Sequence, residues 1–353
     1  MSRPRSKRIS QTQIAKELGF SQALVSMALN GRKDDISEST YKAIWNYALQ
    51  HGYSPRGMRM DTANNTAAAT TIGYILRSPL KLATKSNFFS HIHQGLYDYL
   101  DSRNIKTVFL GSEDDIVKET EQNKLSLPLS VKGIAIMGEV KPILFDSLTK
   151  LNKPIAYIAA RKSGYCHSVL SNEARSAEFL VDHLISLGHR NFAWIGGNRN
   201  SSRFKDRLSQ IQDSLRKHGI ELQDEFIACQ EGADRKEGNN AAKKILEATD
   251  TNRIPSAWIC LNGLMARGAI NRLYQSGYKV GEDISVAAFD MTNVCTEEDP
   301  SITCSGADPE QMGAEAARIL MTAINGETNA FSDITLPSTL RVGHSTGALK
   351  VHA

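Results

Sequence analysis

The sequence predicts an α/β protein in which a small all-helical head precedes doubly wound parallel sheets. Apolar residues recur at helical spacing within the first 50 residues. From residue 71 onward, short apolar runs alternate with amphipathic segments. The 353 residues exceed one average domain, and 41% hydrophobic and 23% charged residues are typical of a globular chain.

The first two helices are predicted between residues 10 and 31. Ile14, Ala15 and Leu18 predict one apolar helix face, and Gly19 stands where a helix end adopts the left-handed conformation. Ser21 is placed to cap a second helix. The inward-facing residues of that helix are Leu24, Val25, Ala28 and Leu29. This pattern is typical of a helix-turn-helix, whose second helix enters the DNA major groove, or of an ordinary helical hairpin.

Positive charge is concentrated in the same region. Residues 1–60 contain ten Lys and Arg residues but four Asp and Glu residues, a net charge of +6, whereas the whole chain carries +4. The N-terminal arm contributes Arg3, Arg5, Lys7 and Arg8. A third helix, capped by Ser37, is predicted to bury Tyr41, Ile44, Trp45, Ala48 and Leu49. This uneven distribution indicates nucleic acid as the partner of the head.

The remainder of the chain predicts parallel strands buried on both faces, with helices between them. The predicted strands are 72–76, 107–110, 134–137, 155–158, 192–195, 257–260 and 284–289. Helices are predicted over 177–187 and 264–273, ending near Gly188 and Gly277. No Gly-x-Gly-x-x-Gly follows a predicted strand, so the sequence does not support a dinucleotide site.

Other classes of protein are disfavoured by composition. No run approaches the roughly 18 apolar residues of a membrane span. The basic N-terminus is not followed by the apolar segment of a secretory signal. Five cysteines without Cys-x-x-Cys spacing argue against a disulfide framework or a structural zinc site. We therefore expect a cytoplasmic protein with no cofactor, no metal and no membrane contact.

These motifs together resemble the LacI/GalR (lactose-repressor) family of bacterial transcription regulators. The head carries the resemblance in Ile14-Ala15, Gly19, Ser21, Val25-Ser26, Leu29-Asn30 and Gly52-Tyr53-Ser54-Pro55. Further matches are 131–134, 184–190, 195–197, 280–286, 289–290, 336–340 and 345–347. The resemblance implies two lobes like those of periplasmic sugar-binding proteins. It also implies that the chain crosses between lobes near residues 165–170, 292–300 and 325–335.

Four segments are predicted from the resemblance and the composition. They are a helix-turn-helix DNA-binding domain over 1–60 with a hinge from about 56, a linker over 61–70, a two-lobed effector-binding and dimerisation domain over 71–347, and a tail over 348–353. In the family the hinge orders on operator DNA and wedges an apolar side chain into the minor groove. Met58 or Met60 is the candidate wedge here, and a plain tether is the alternative.

The predicted recognition helix has an unusual composition. It contains no Lys or Arg between Phe20 and Asn30, so the bidentate contact of arginine with guanine is not available from it. Family members usually carry Thr-Val-Ser-Arg where this chain has residues 24–27. Gln22 can pair with adenine, so we expect an A·T-leaning half-site. The predicted DNA contacts are Arg5, Thr12, Gln13, Ser21, Gln22, Ala23, Leu24, Ser26, Met27, Asn30, Arg32, Arg56, Met58 and Arg59.

An effector site is also implied by the resemblance. Its candidate residues are Phe88, Phe89, Arg161, Arg203, Asn262 and Asp290. The alternatives are core packing for the two phenylalanines, a surface ion pair for Arg203 and the pinning of a strand end for Asp290.

Three positions depart from the family's pattern. Ala160 and Gly263 stand where the family has aspartates, and Asp206 stands where it usually has glycine. A carboxylate is a strong acceptor for ligand hydroxyls, which Ala and Gly cannot replace. We therefore expect the effector to be a sugar derivative or another metabolite rather than a simple neutral sugar.

A ligand-responsive transcriptional regulator is the favoured function. It would act as a repressor, forming a homodimer or a tetramer on a near-palindromic operator in double-stranded DNA. A small molecule between the two lobes would modulate its operator affinity. A solute-binding protein without DNA function would leave the basic head unexplained. An enzyme is disfavoured because the sequence has no Gly-x-Ser-x-Gly elbow, and His91 and His93 lack the spacing of a helical metal pair.

Overall fold

The computed structural model describes residues 10–29, 36–50, 70–77, 87–121, 127–328 and 330–350. These residues form two compact units. One holds 89–170 and 310–334 with the described residues up to 77, and the other holds 87–88, 171–309 and 335–350. Apart from the short stretch 87–88, the chain passes between the units after residues 170, 309 and 334. The second crossing follows the expected range of 292–300 because residues 303–306 first form a strand in the second unit.

The secondary structure of the described residues alternates as predicted. The helices are α1 (Gln11–Leu18), α2 (Gln22–Leu29), α3 (Glu38–Gln50), α4 (Asn87–Asp101), α5 (Glu113–Glu121), α6 (Pro142–Thr149), α7 (Glu173–Ser186), α8 (Ser202–Lys217), α9 (Arg235–Ala248), α10 (Gly263–Gln275), α11 (Asn293–Thr296) and α12 (Pro309–Ile324). The strands are β1 (Thr71–Leu76), β2 (Lys106–Ser112), β3 (Val131–Met137), β4 (Ile155–Ile158), β5 (His167–Ser171), β6 (Phe192–Gly196), β7 (Ile227–Cys229), β8 (Ala257–Cys260), β9 (Ser285–Phe289), β10 (Thr303–Gly306), β11 (Asp333–Leu336) and β12 (Thr339–Arg341).

Local capping signals define the three helices of the head. Ser10 caps α1 in a capping box with Gln13, and Gly19 ends this helix in the left-handed conformation at φ 68°. The Oγ of Ser21 accepts from the amide of Leu24 at 3.1 Å, and the Oγ of Ser37 accepts from that of Thr40 at 3.2 Å. The head core contains Ile14, Ala15, Val25, Ala28, Leu29, Ile36, Ile44 and Ala48.

Each unit has one six-stranded sheet, and the two sheets share one strand order. The first runs β2-β1-β3-β4-β5-β11, and the second runs β7-β6-β8-β9-β10-β12. The pairs β1 with β2 and β3, and β6 with β7 and β8, are parallel. In each sheet, the next two strands along the chain lie on opposite sides of the first one: β2 and β3 flank β1, and β7 and β8 flank β6. In such sheets this switch point, at the carboxyl ends of the strands, is where ligands bind.

The central strands are buried on both faces, as their apolar runs predict. Every residue of β1, β6, β8 and β9 is buried. Strands β5, β7, β10, β11 and β12 were not among the predicted strands. Each of these strands has three to five residues, and several contain polar side chains among the apolar ones. The sequence therefore shows little apolar periodicity in these segments.

Helices α9 and α10 pack with their backbones in contact. A Cβ added to Gly238 would overlap the carbonyl oxygen of Met265, and one added to Gly268 would overlap that of Arg235. Neither obstacle is a side chain that could rotate away, so glycine is the residue that fits. This contact fixes the first turns of α10, which begins at the switch point of the second sheet.

His93 is a buried polar residue on α4. Its ring lies 4.6 Å from that of Tyr74, centroid to centroid, and the side chain is fully buried. Among the residues that the structure describes, neither ring nitrogen has a hydrogen-bond partner. Burial lowers the pKa of His93 to about 4, although the charge of Asp98 opposes this shift.

The stability of the protein should therefore fall at mildly acidic pH through His93. Below pH 6.5 the unfolded chain takes up a proton that the folded chain excludes down to about pH 4, so stability is lost across that window. The difference of about 2.5 units corresponds to roughly 3 kcal/mol. Urea unfolding at pH 7 and at pH 4.5 should show that His93→Phe retains more of its stability at the lower pH than the unmodified protein.

A half-exposed histidine provides the control for that experiment. His218 pairs with Asp182 at 2.8 Å, so His218→Gln should not reduce the acid loss. Equal acid losses in His93→Phe and the unmodified protein would show that His93 is not the group responsible.

Candidate DNA-binding head and candidate effector site

The head exposes the first turn of α2, the predicted recognition helix. Ser21, Gln22 and Ala23 are exposed there, and Thr12 and Gln13 are exposed on α1. In a helix-turn-helix the N-terminal residues of the second helix contact base edges. The exposed polar side chain of Gln22 is therefore at a position suited to reading a base pair.

Other predicted contact residues have structural partners in the head. The Oε1 of Gln13 accepts from the backbone amide of Ser10 at 3.0 Å, so this side chain caps α1. Leu24 and Met27 are partly buried and pack against the head core, while Ser26 is partly buried. The remaining predicted contacts lie outside the described residues: Arg5, Asn30, Arg32, Arg56, Met58 and Arg59.

The third helix holds α2 in place. The indole nitrogen of Trp45 donates to the carbonyl oxygen of Ala28 at 3.2 Å, which satisfies a carbonyl near the end of α2. Val25 and Ala28 are fully buried, as is Ile44 on α3. The face of α2 opposite this core is consequently presented in a fixed orientation.

The carboxyl edge of the second sheet contains three of the six predicted effector residues. Arg203 lies in the first turn of α8, after β6, and Asn262 precedes α10, after β8. These two positions flank the switch point. Asp290 follows β9 directly, with a left-handed backbone at φ 75°.

Asp290 connects two arginines. Its Oδ1 accepts from Arg203 and from Arg207, each at 2.6 Å. Arg207 is almost completely buried and also donates to both carboxylate oxygens of Glu173 at 2.8 and 2.9 Å. Its remaining terminal nitrogen donates to the carbonyl of Leu261 at 2.5 Å. The buried guanidinium therefore has the paired, hydrogen-bonded surroundings that an interior charge requires.

The pKa values of this cluster move in the directions that pairing requires. Burial alone would raise the pKa of the Asp290 carboxyl, but the charges of Arg203 and Arg207 outweigh it and lower the pKa. Burial would likewise lower the pKa of Arg207, but Asp290 and Glu173 raise it. Asp290 and Arg207 are consequently both ionised at neutral pH.

Arg203 also contacts an aromatic ring. Its guanidinium carbon lies 4.3 Å from the centroid of the Phe88 ring, a cation–π contact. Phe88 is buried, and the Arg203 side chain is 21% exposed. The ion pair weighed for Arg203 is present, but it is largely buried rather than superficial.

Asn262 uses its side chain within the protein. Its Oδ1 accepts from the amide of Met265 at 2.8 Å, which caps α10, and its Nδ2 donates to the carbonyl of Ala233 at 2.9 Å. The next residue, Gly263, is buried against Cys295: a Cβ at residue 263 would lie 2.5 Å from the Cys295 sulfur.

The two remaining predicted residues belong to the first unit and lie near the ends of different strands. Phe89 lies beside the end of β3, because a Cβ added to Gly138 would be 2.9 Å from its ring. Arg161 follows β4, more than half exposed, and its Nε lies 3.4 Å from an oxygen of Asp333. Phe89 is thus at the switch point of the first sheet, whereas Arg161 is not.

Arg207 and Glu173 were missed by sequence reasoning, although a signal existed. Arg207 lies on the apolar face of α8, where Phe204, Ile211 and Leu215 are buried at helical spacing. A charged residue at such a position is rarely buried without a partner. The partner could not be identified, because Glu173 is 34 residues away in sequence.

Two negative findings concern the described residues. Within these residues, no group of three or more His, Cys, Asp or Glu side chains is arranged to hold a metal ion. No helix described by the structure is long and apolar enough to cross a membrane.

Comparisons with known proteins identify a matching domain and a relative that spans nearly the whole chain. Residues 181–346 match the periplasmic binding protein-like domain. The HTH-type transcriptional regulator DegA of Bacillus subtilis is 27% identical over 346 residues, covering 95% of this chain and 97% of its own length.

Two solved structures show the same fold. The transcriptional regulator CelR in complex with cellobiose has a TM-score of 0.68 at 22% identity, covering 96% of this chain and 100% of its own. A LacI family transcriptional regulator from Enterococcus faecium with bound ribose has a TM-score of 0.66 at 20% identity, covering 80% of this chain and 100% of its own. The predicted α/β fold is confirmed.

Proposed function

Since this chain is a homologue of the LacI-family helix-turn-helix transcriptional regulators, we propose that it represses transcription from an operator whose affinity is set by a small-molecule effector. The proposed DNA binding rests on the structure of the head. An exposed first turn of α2, held by a compact three-helix core, is the geometry with which such heads read the major groove. The net charge of +6 in residues 1–60 supplies attraction for phosphates.

The effector part rests on the switch points of the two sheets. Arg203 and Asp290 lie at that edge of the second sheet, and Phe89 lies at the corresponding edge of the first. We propose Arg203, Asp290 and Phe88 as effector contacts in the second unit, and Phe89 as a contact residue in the first. A ligand that binds one state of the protein more tightly shifts it toward that state, which changes operator affinity without a separate mechanical step.

The proposed assembly is a homodimer that acts in the cytoplasm, where its operator lies. Two heads related by a two-fold axis would read a near-palindromic site. The DNA-binding domain is proposed over 1–60 and the effector-binding domain over 71–347. We propose no enzymatic activity, in line with relatives that are named as regulators.

Base readout by Gln22 provides the test of this function. Selection of binding sites from random DNA should yield an A·T-leaning half-site, because the recognition helix offers an amide and apolar groups but no cation. Gln22→Ala should cost roughly 1–3 kcal/mol at one base position and relax the preference there. Gln275→Ala removes an exposed glutamine from α10 and should leave the selected sequences unchanged.

A failure of selection to enrich any sequence would count against a DNA-binding function. A guanine-rich site that Gln22→Ala leaves unaltered would instead show that another element reads the bases.

A further inference from the structure

Cys295 is buried at the edge of the proposed effector site. It lies on α11, the short helix after β9, and its thiol donates to the carbonyl oxygen of Asp290 at 3.4 Å. Its side chain is completely buried, and the hydroxyl of Thr292 is 4.0 Å from the sulfur. The sulfur is therefore fixed beside the residue that pairs with Arg203.

The same sulfur fills the space beside residue 263. A Cβ added to Gly263 would lie 2.5 Å from the sulfur, 3.5 Å from the Thr292 hydroxyl oxygen and 3.7 Å from a methyl group of Val294. Real Cβ atoms do not approach neighbours as closely as 2.5 Å. Cys295 is completely buried and its sulfur also hydrogen-bonds with the Cys304 thiol, so a shift away from residue 263 would disturb the packing of both thiols.

We propose that Cys295 is a specificity-determining residue, because its sulfur excludes a side chain from residue 263 at the switch point of the second sheet. This inference rests on the proposed function, in which that edge binds the effector. Residue 263 is the first residue of α10 after β8. The family resemblance implies an aspartate at this position. The Cys295 sulfur thus leaves no space at residue 263 for a carboxylate side chain, which would accept hydrogen bonds from ligand hydroxyls.

The neighbouring acceptors are already engaged. The Oδ1 of Asn262 accepts from the amide of Met265, and Oδ1 of Asp290 accepts from two arginines. Arg203 pairs with Asp290 at 2.6 Å, but its side chain remains 21% exposed, and its guanidinium is a donor that matches oxyanions in a planar fork. The effector class that fits is a metabolite carrying a carboxylate or phosphate, rather than a polyol held through its hydroxyl donors.

The steric exclusion of a side chain at residue 263 can be tested by thermal unfolding alone. Gly263→Ala should lower the melting temperature of the full chain by several degrees, and Gly263→Ala with Cys295→Ala should recover most of that loss. Cys166→Ala is the matched control, because it removes a buried thiol from the core of the first unit, whereas residues 263 and 295 belong to the second. Gly263→Ala without a loss, or equal recovery when Gly263→Ala is combined with Cys166→Ala, would overturn the proposal.

The ligand step uses thermal shifts with ribose and glucose, each compared with its phosphate ester and its aldonic acid. At least one charged form should stabilise the unmodified protein more than its neutral parent, and Arg203→Gln should abolish that difference. Gly263→Asp with Cys295→Ala should gain stabilisation by a neutral sugar that Gly263→Ala with Cys295→Ala does not show. Equal shifts from neutral and charged forms, including none, would overturn the effector class.

These outcomes are separable from a failure of the proposed function. The unfolding comparison needs neither DNA nor effector, whereas operator selection with the unmodified protein tests the regulatory function independently.

Discussion

Deleting residues 1–60 is expected to abolish DNA binding while both units remain folded. The deleted segment contains α1, α2 and α3 together with ten of the Lys and Arg residues. The first and second units keep separate cores, built around strands β1 to β4 and β6 to β10 respectively. A mobility-shift titration should therefore show no complex, while the thermal transition of the truncated protein persists.

The electrostatic origin of this binding predicts a steep dependence on salt. Each phosphate neutralised by a cation releases counterions, so six to ten such contacts lose about 10³- to 10⁵-fold in affinity between about 50 and 200 mM salt. Lys16 is exposed in the last turn of α1, and Lys16→Gln should reduce the slope of log affinity against log salt by about one for each phosphate contact it makes.

A lysine in the second unit is the control for charge. Lys243 is exposed on α9 beside Glu247, so Lys243→Gln changes net charge equally but should leave the slope unchanged. Retention of full DNA affinity by the truncated protein would show that the DNA-binding domain has been assigned to the wrong segment.

Much of the fold was predictable because its signals are local. Gly19 and Ser21 mark the turn between α1 and α2, and both act as their residue types predict. The apolar runs at 72–76, 192–195 and 257–260 predicted buried parallel strands. Strand order was not predictable in this way, since pairs such as β1 with β3 join residues that are about 60 positions apart.

The site was only partly predictable, for a related reason. Arg203 and Asp290 could be singled out from the family resemblance, but their 2.6 Å contact joins residues 87 positions apart. Gly263 could be recognised as a departure from the pattern, whereas Cys295, which fills its space, gives no signal of its own in the sequence. Contacts between residues that are far apart in sequence can be identified only from the structure.

Asp290→Asn is expected to destabilise the second unit by about 3 kcal/mol, because it leaves the buried Arg207 with one carboxylate instead of two. Asparagine is the suitable replacement, since residue 290 has a left-handed backbone at φ 75° that Asn adopts more readily than Ala. Urea unfolding at neutral pH gives the measurement. Asp213→Asn is the matched control, because its ion pair with Arg216 is exposed and should contribute less than about 1 kcal/mol.

A double-mutant cycle separates the charge effect from a simple packing loss. If the penalty arises from an under-compensated guanidinium, then Arg207→Met should make the further change Asp290→Asn much less costly than it is in the unmodified protein. A coupling of at least about 1 kcal/mol is expected, as for groups that share one buried network. Additive costs would contradict this account. They would indicate that Asp290 acts on stability through the backbone at the end of β9 rather than through its contact with Arg207.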